Sequence, residues 1–403
     1  MSEKAAASVE FDSSDVDRWV GVPLGVSNAR YPVSELDIAR WAQAMHNPNP
    51  LYFDPDYAAL SQFGRIVGPF SITVACGDGH GAKPSIQGHV EGTHMLFGGD
   101  EWWFYGPRIF PGDRIQTDGM LFDYKVTHTK FAGPTMFSRG DTNYVNQRGE
   151  FIAKQRSTSI RYRADEARRL NAFGGEESDP EWSASDLEAV HRQKMEYYES
   201  FLGRGHGPRH YDSVEKGDRL PRCVIGPHSV ASFTTEHRSR PTATWGATVN
   251  RPGPSSLWNA GWIPEMSRDH AGARINPELG DGLYHGPSRG HVQPQFARLI
   301  GMPRGYGYGS TMGGWVLDYL ENWAGEFGFV RHIMMQYRNP AFTGDVTYID
   351  GNLGEKGVDA GTGWKLVTIH LDMTNQKGAQ LARGYAEVEL GEPAPPGGAR
   401  PGA

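Results

Sequence analysis

Apolar and polar residues alternate with a period of two along four runs in the first half of the chain. These are WWFY at 102–105, IQTDGMLFDYKVTHT from Ile115, TMFSRGDTNYV from Thr135 and EFIAKQRSTSIRYR from Glu150. Four more follow in the second half: HIMMQYR from His332, DVTYIDGNLGE from Asp345, KLVTIHLDMTN from Lys365 and AQLARGYAEVEL from Ala379. Short G-D, G-P and N-Q-x-G breaks separate them, so they predict antiparallel strands joined by hairpins. A period near 3.6 predicts helices around Glu35–Met45 and Trp182–Phe201, and another through Met312, Val316, Leu317, Leu320 and Trp323. That last helix follows a glycine- and histidine-rich loop, which sets polar chemistry beside a buried element. Gly307 to Gly309 lead into it, either to present backbone N–H groups to a developing negative charge or simply to make a tight turn.

The pattern is duplicated. Phe110-Pro-Gly-Asp113 precedes Asp118-Gly119 as Phe342-Thr-Gly-Asp345 precedes Asp350-Gly351; Asn146-Gln-Arg-Gly149 returns as Asn375-Gln-Lys-Gly378; Pro55-Asp-Tyr-Ala58 returns as Pro294-Gln-Phe-Ala297. Matches in one order, offset by 232, 229 and 239 residues, predict two homologous copies. We place them at 15–165 and 216–392, joined by a helical connector at 166–215, with an insertion at about 240–285. Each copy is expected to be a long helix wrapped by a curved antiparallel sheet, an α+β architecture. The two sheets are expected to join edge to edge, because pairing removes strand edges that invite aggregation.

Length and composition narrow the function. A chain of 403 residues exceeds one ordinary core. With 47 acidic and 40 basic residues and no block of like charge, it gives no footprint for nucleic acid. Cys76 and Cys223 stand far apart without a C-x-x-C spacing, which points to a reducing compartment. The segment MSEKAAASVEFDSSD has charges where a signal peptide needs an apolar run, and no run of about 18 apolar residues follows. The expectation is a cytoplasmic protein outside the membrane, with a mobile arm at 1–14 and a tail EPAPPGGARPGA.

The motif HNPNPLYFD at His46–Asp54 and the segment SRGHVQ at Ser288–Gln293 resemble the MaoC-like acyl-CoA hydratase and dehydratase family, built from hot-dog folds. The first copy is similar to the dehydratase-like domain that opens double hot-dog members. In that family a D-x-N-P-x-H-x-D-like loop activates water for addition to an enoyl thioester, and the second copy of double forms often reads H-R-I-H-Y-D. Here Asn49-Pro50-Leu51 matches, but Asn47 stands in the aspartate position and Tyr52 in the histidine position. The resemblance therefore implies a degenerate first copy that shapes the substrate cavity. In the second copy His291 falls on the catalytic histidine and Gly286 where its acidic partner belongs.

The chemistry implied is a hydro-lyase on an acyl-CoA thioester, with coenzyme A as part of the substrate, no metal or redox cofactor, and a homodimer or higher homo-oligomer. It needs a base, a proton donor for the α-carbon and donors for the thioester oxygen. His291 is the expected base, since a free imidazole titrates near neutral pH; taken without the repeat it reads as a turn histidine. Asp281 or His285 is the candidate partner, and each reads equally as an ordinary loop residue. Substrate binding is expected from Asn47, Tyr52, Arg289, Tyr308, Gly309 and Ser310, with Gly309 as the backbone donor or else as a packing glycine. Arg304 and Arg338 join Arg289 as candidates for the phosphates of coenzyme A. His80, His89 and His94 match no ligand spacing for a metal. Trp245, Trp258 and Trp262 in the insertion would enlarge a pocket for a ring-bearing acyl group or else cover a sheet. Two other readings stay open: a hot-dog thioesterase using Asp318 or Glu321, which the pattern places on a solvated helix edge, and a non-catalytic acyl-CoA-binding protein.

Overall fold

The computed structural model describes residues 12–29, 31–77, 81–175, 178–240 and 288–391. Asp281, His285 and the three insertion tryptophans lie outside them, as do the arm before residue 12, the tail and His80. The elements that position the site are, in chain order, helices α1 (Glu35–Ala44), α2 (Pro55–Ala59), α3 (Ile72–Ala75), α4 (Ala184–Leu202), α5 (Val230–Arg238), α6 (Arg289–Val292), α7 (Pro294–Leu299) and α8 (Gly309–Ala324). The strands are β1 (Ser27–Asn28), β2 (Thr93–Phe104), β3 (Ile115–Thr129), β4 (Gly133–Asn146), β5 (Phe151–Arg163), β6 (Cys223–Ile225), β7 (Gly328–Tyr337), β8 (Thr347–Val358), β9 (Lys365–Asn375) and β10 (Gln380–Leu390).

One antiparallel sheet runs β1-β3-β4-β5-β2-β7-β10-β9-β8-β6. Read inward from either side, the copies have the same order, β3-β4-β5-β2 and β8-β9-β10-β7, and meet where Gly99–Trp103 pairs with His332–Gln336. The expected edge-to-edge junction is therefore present. At this seam a side chain on Gly99 would put its Cβ 2.8 Å from the Met335 carbonyl, so the close approach requires glycine.

The repeated turns do the same work in both copies. Gly112 and Gly344 take positive φ (96° and 79°), and the following Asp113 and Asp345 each accept a hydrogen bond from the glutamine of the N-Q-x-G turn, Gln147 at 3.0 Å and Gln376 at 2.8 Å. Asn146 Oδ1 accepts from the Arg148 and Glu150 amides, and Asn375 Oδ1 from those of Lys377 and Ala379. A further match appears at α1 and α5. Both open with a capping box, Ser34 with Asp37 and Ser229 with Ser232. This pair is offset by 195 residues, whereas the proline after the motif is offset by 239. About 44 residues have entered the second copy directly after α5, between that helix and His291.

Helix α8 is the core of the second copy, buried from Ser310 to Ala324 on every side. Its last carbonyls are capped by the connector: Arg204 Nη1 and Arg209 Nε both donate to the Trp323 carbonyl, at 2.8 and 2.6 Å. The first copy departs from the expected long helix. Its counterpart α3 has four residues, followed by a 3₁₀ turn at Lys83–Ile86. The intervening sequence CGDGHGAKP explains this, since each glycine costs a helix about 1 kcal/mol and proline about 3. Gly81 moreover takes φ 73°, where a Cβ would lie 1.6 Å from Gln155 Oε1.

Candidate active site

The expected site residues fall into two groups at different levels of α8. Tyr308–Ser310 begin the helix, whereas Asn47 and Tyr52 meet its later turns at Asp318, Glu321 and Asn322. At 1.5 Å per residue the levels are about 15 Å apart along the axis.

At the start of α8, Tyr308 is the N-cap and supplies no side-chain cap. The Thr311 and Met312 amides donate to its carbonyl, at 3.0 and 3.1 Å. Among the described residues the Gly309 and Ser310 amides have no backbone acceptor, which leaves two donors at the positive end of the helix dipole. Gly309 also packs tightly: a Cβ there would lie 2.9 Å from Phe97 Cβ on β2. His291, on α6, stacks on Tyr308 with ring centroids 3.8 Å apart and lies 4.3 Å from the Tyr306 ring. Its Nδ1 is 2.6 Å from the Tyr306 carbonyl. A carbonyl only accepts, so Nδ1 carries the proton and Nε2 keeps the lone pair.

The titration expected of His291 needs correction. Burial pushes its pKa from 6.5 down to about 3; the Tyr306 carbonyl pulls upward, and His94, His237 and Arg240 push further down. The imidazole is therefore neutral at every physiological pH, always in the base form but intrinsically weak. Two buried groups on or just after α5, the helix that packs against α6, were not legible in the sequence. Arg240, just beyond α5, is 2 % exposed; its Nη2 donates to Ser310 Oγ and Thr311 Oγ1, at 3.2 and 3.3 Å, and its guanidinium lies 5.5 Å from the Tyr308 ring. Glu236, one turn earlier, is fully buried. The shared capping box was the available signal, since it aligns Glu236 with Trp41 and exposes an acid in an apolar stripe.

The second group is a buried polar cluster built by both copies. Asn49 Nδ2 donates to Asn322 Oδ1 at 2.9 Å, and Asn322 Nδ2 to Asn47 Oδ1 at 3.1 Å. Glu321 pairs with Arg108 and accepts from the Phe70 amide at 2.9 Å. Asp318 is 4 % exposed, and among the described residues neither of its oxygens has a partner at hydrogen-bonding distance. Burial raises its pKa from 3.8 to about 8, only partly opposed by nearby Ser71 and Asn47. Tyr52 is fully buried beside Glu321. Asp318 and Glu321 thus lie in the interior and not on a solvated edge, because the first copy's motif covers the polar side of α8.

The arginine candidates separate as well. Arg304 is spent inside the fold, donating to Asp345 at 2.9 Å and to the Thr343 carbonyl at 2.8 Å. Arg289 is 1 % exposed over Phe296, and Arg338 is exposed beside Gln336. His89 pairs with exposed Glu91, while His94 is buried edge-on to Tyr162. Cys76 and Cys223 are free and buried.

Comparison with known proteins bears on this arrangement. A family model described as "FAS1-like, dehydratase domain region" matches residues 18–155. A probable enoyl-CoA hydratase alpha subunit from Thermomonospora curvata is 28% identical over 159 residues, which is 36% of this chain and 50% of that protein. The match thus spans half the length of the relative. Among solved structures, a MaoC-like dehydratase superposes with TM-score 0.59 at 16% identity, covering 93% of this chain and 99% of the other. A putative MaoC domain dehydratase from Chloroflexus aurantiacus gives 0.55 at 15% identity, with 98% and 100% covered. A Mycobacterium tuberculosis protein described as having a double hotdog fold gives 0.50 at 12% identity, with 91% and 95% covered. The fold is the double hot-dog. No helix among the described residues is long and apolar enough to cross a membrane.

Proposed function

We propose that this double hot-dog chain, which shares the fold of MaoC-like dehydratases and carries a dehydratase-family region in its first copy, adds water to or removes it from the α,β-bond of an acyl-CoA thioester. The observation that supports this reading is the pairing of His291 with the start of α8. One nitrogen is committed to the Tyr306 carbonyl, the other keeps its lone pair, and two amides without backbone acceptors stand at the same end of the helix. In the hydration direction Nε2 takes a proton from water as the oxygen bonds to the β-carbon. The electron pair of the double bond moves toward the thioester oxygen, where the Gly309 and Ser310 amides offset the growing charge. A base of low pKa suits this only if the proton is passed on quickly, so the site requires a second acid–base group.

The test is a panel of enoyl-CoA thioesters of different chain length and bulk, followed by loss of the conjugated thioester and by release of free thiol. Hydration abolished in His291→Ala supports the reading. Thiol release without hydration would make the chain a thioesterase, and binding without turnover a non-catalytic acyl-CoA-binding protein.

A further inference from the structure

Helix α5 presents one face to the candidate site. Phe233 approaches Gly307, where a Cβ would lie 3.0 Å from its ring. His237 stacks on Tyr308 at 5.8 Å, and Arg240 hydrogen-bonds Ser310 and Thr311. Residues 233, 236, 237 and 240 follow the i, i+3, i+4, i+7 spacing of a single helix face, so Glu236 lies between groups that all reach the start of α8. The helix also packs against α6, which carries His291.

Two features of Glu236 call for a physical explanation. It is fully buried, and among the described residues neither carboxyl oxygen has a hydrogen-bond partner. Arg240, four residues on and 2 % exposed, has no partner for Nε or Nη1 among the described residues. A glutamate and an arginine at i, i+4 ordinarily pair. Here both remain apart in the interior, although an unsatisfied buried polar group costs about 1–3 kcal/mol. In the first copy the aligned position is Trp41, whose indole donates to Ser71 Oγ at 2.8 Å, a satisfied structural contact. Where the first copy has a packed aromatic, the second has an acid with no partner among the described residues.

Resting on the hydratase reading, we infer that Glu236 is the proton donor to the α-carbon, the partner of His291 in the reaction. In the hydration direction a water O–H bond breaks, its proton goes to His291 Nε2 and its oxygen bonds to the β-carbon. The π pair moves onto the thioester oxygen as an enolate. The Glu236 O–H bond then breaks, and its proton bonds to the α-carbon as the enolate collapses. The proton held on His291 returns to the Glu236 carboxylate through water that takes the product's place, so the net change is one water added. Burial drives the two groups apart in the sense this requires, raising Glu236 well above the ordinary carboxylate range and lowering His291. His237 and Arg240 share the α5 face with Glu236, and the packed helix α6 carries Arg289 and His291. On α1, Glu35 and Arg40 are exposed and Asp37 is held in its capping box.

The test uses whichever enoyl-CoA the unaltered full-length protein hydrates. Glu236→Gln should lower kcat by about 100- to 1,000-fold with KM within about twofold. It should also remove the alkaline fall in kcat/KM that ionisation of Glu236 produces, while Glu236→Asp keeps that fall. Infrared difference spectroscopy should show the carbonyl stretch of a protonated carboxylic acid perturbed on enoyl-CoA binding in the unaltered protein, in Asp318→Asn and in Asp100→Asn alike, which excludes the other two buried carboxyls raised toward neutrality and decides the matter if Glu236→Gln does not fold. A folded Glu236→Gln with the wild-type rate and pH profile overturns this inference alone, as does an unperturbed infrared band. An unaltered protein that hydrates no member of the panel overturns the hydratase reading and this inference with it.

Discussion

Replacing Asp318 by Asn should make the protein more stable as pH rises. Asp318 has a folded pKa near 8 against 3.8 in the unfolded chain. For a carboxyl raised on folding, its contribution is most favourable below pH 3.8 and declines as pH climbs toward 8. Four units at about 1.4 kcal/mol each set an upper bound of about 6 kcal/mol lost above pH 8. Relaxation of the cluster around the charge lowers this, and the buried amide of Asn costs about 1–3 kcal/mol if left unpaired. A net gain of about 2–4 kcal/mol for Asp318→Asn at pH 9 follows, worth a few degrees in a chain of this length. Thermal or urea unfolding of both proteins at pH 5, 7 and 9 measures it; the advantage should be absent or reversed at pH 5, grow through pH 7 and level off beyond 8. An advantage independent of pH would show that Asp318 does not titrate in this range, and would refute the reasoning. Glu321→Gln provides the contrast: it strands Arg108 and should destabilise by about 3–5 kcal/mol.

His291→Ala should lower hydration turnover by about a hundredfold or more, while Tyr52→Phe should change it far less, because Tyr52 lies at another level of α8; steady-state kinetics of the two variants decide. His291, His94 and His228 are each held near pKa 3 by burial, so their neutral forms favour the fold above pH 6.5, and that advantage declines as pH falls from 6.5 toward 3. Urea unfolding should accordingly show steep acid loss over this window, with the slope reduced by about one proton in His228→Gln. Gly309→Ala should destabilise by about 1–3 kcal/mol despite alanine's better helix propensity, since its methyl meets Phe97; equal or greater stability on a melting curve would show that Phe97 has room to shift.

What the sequence disclosed depends on how local each signal is. Strand alternation and the F-x-G-D and N-Q-x-G turns are encoded in neighbouring residues, and the two copies corroborate one another, so the strand regions and the joined sheet could be read directly. The short α3 is written in the glycines around 77–81, a difference between copies that their shared turns do not encode. His291 and Tyr308 were reached by aligning the copies. Glu236 and Arg240 were not, because an apolar stripe cannot show that acid and base are buried within it; only the contacts of α5 with α8 and α6 do. The burial of Asp318 and Glu321 was missed for a related reason. A polar helix side normally faces water, and nothing adjacent in the chain says that residues 46–54, some 270 positions away, cover it.

That shared use of α8 makes the duplication a one-way step. The first copy's motif hydrogen-bonds Asn322 of the other copy through Asn47 and Asn49, and the second copy's helix holds Glu321 in the interior through Arg108 and the Phe70 amide. A mutation on either side is therefore selected in the context of the other, and a split gene would release two fragments that each lack half of one buried network. The two copies are no longer interchangeable units: the short α3 and Tyr52 of the first are tolerated beside an α8 whose polar side the first copy covers.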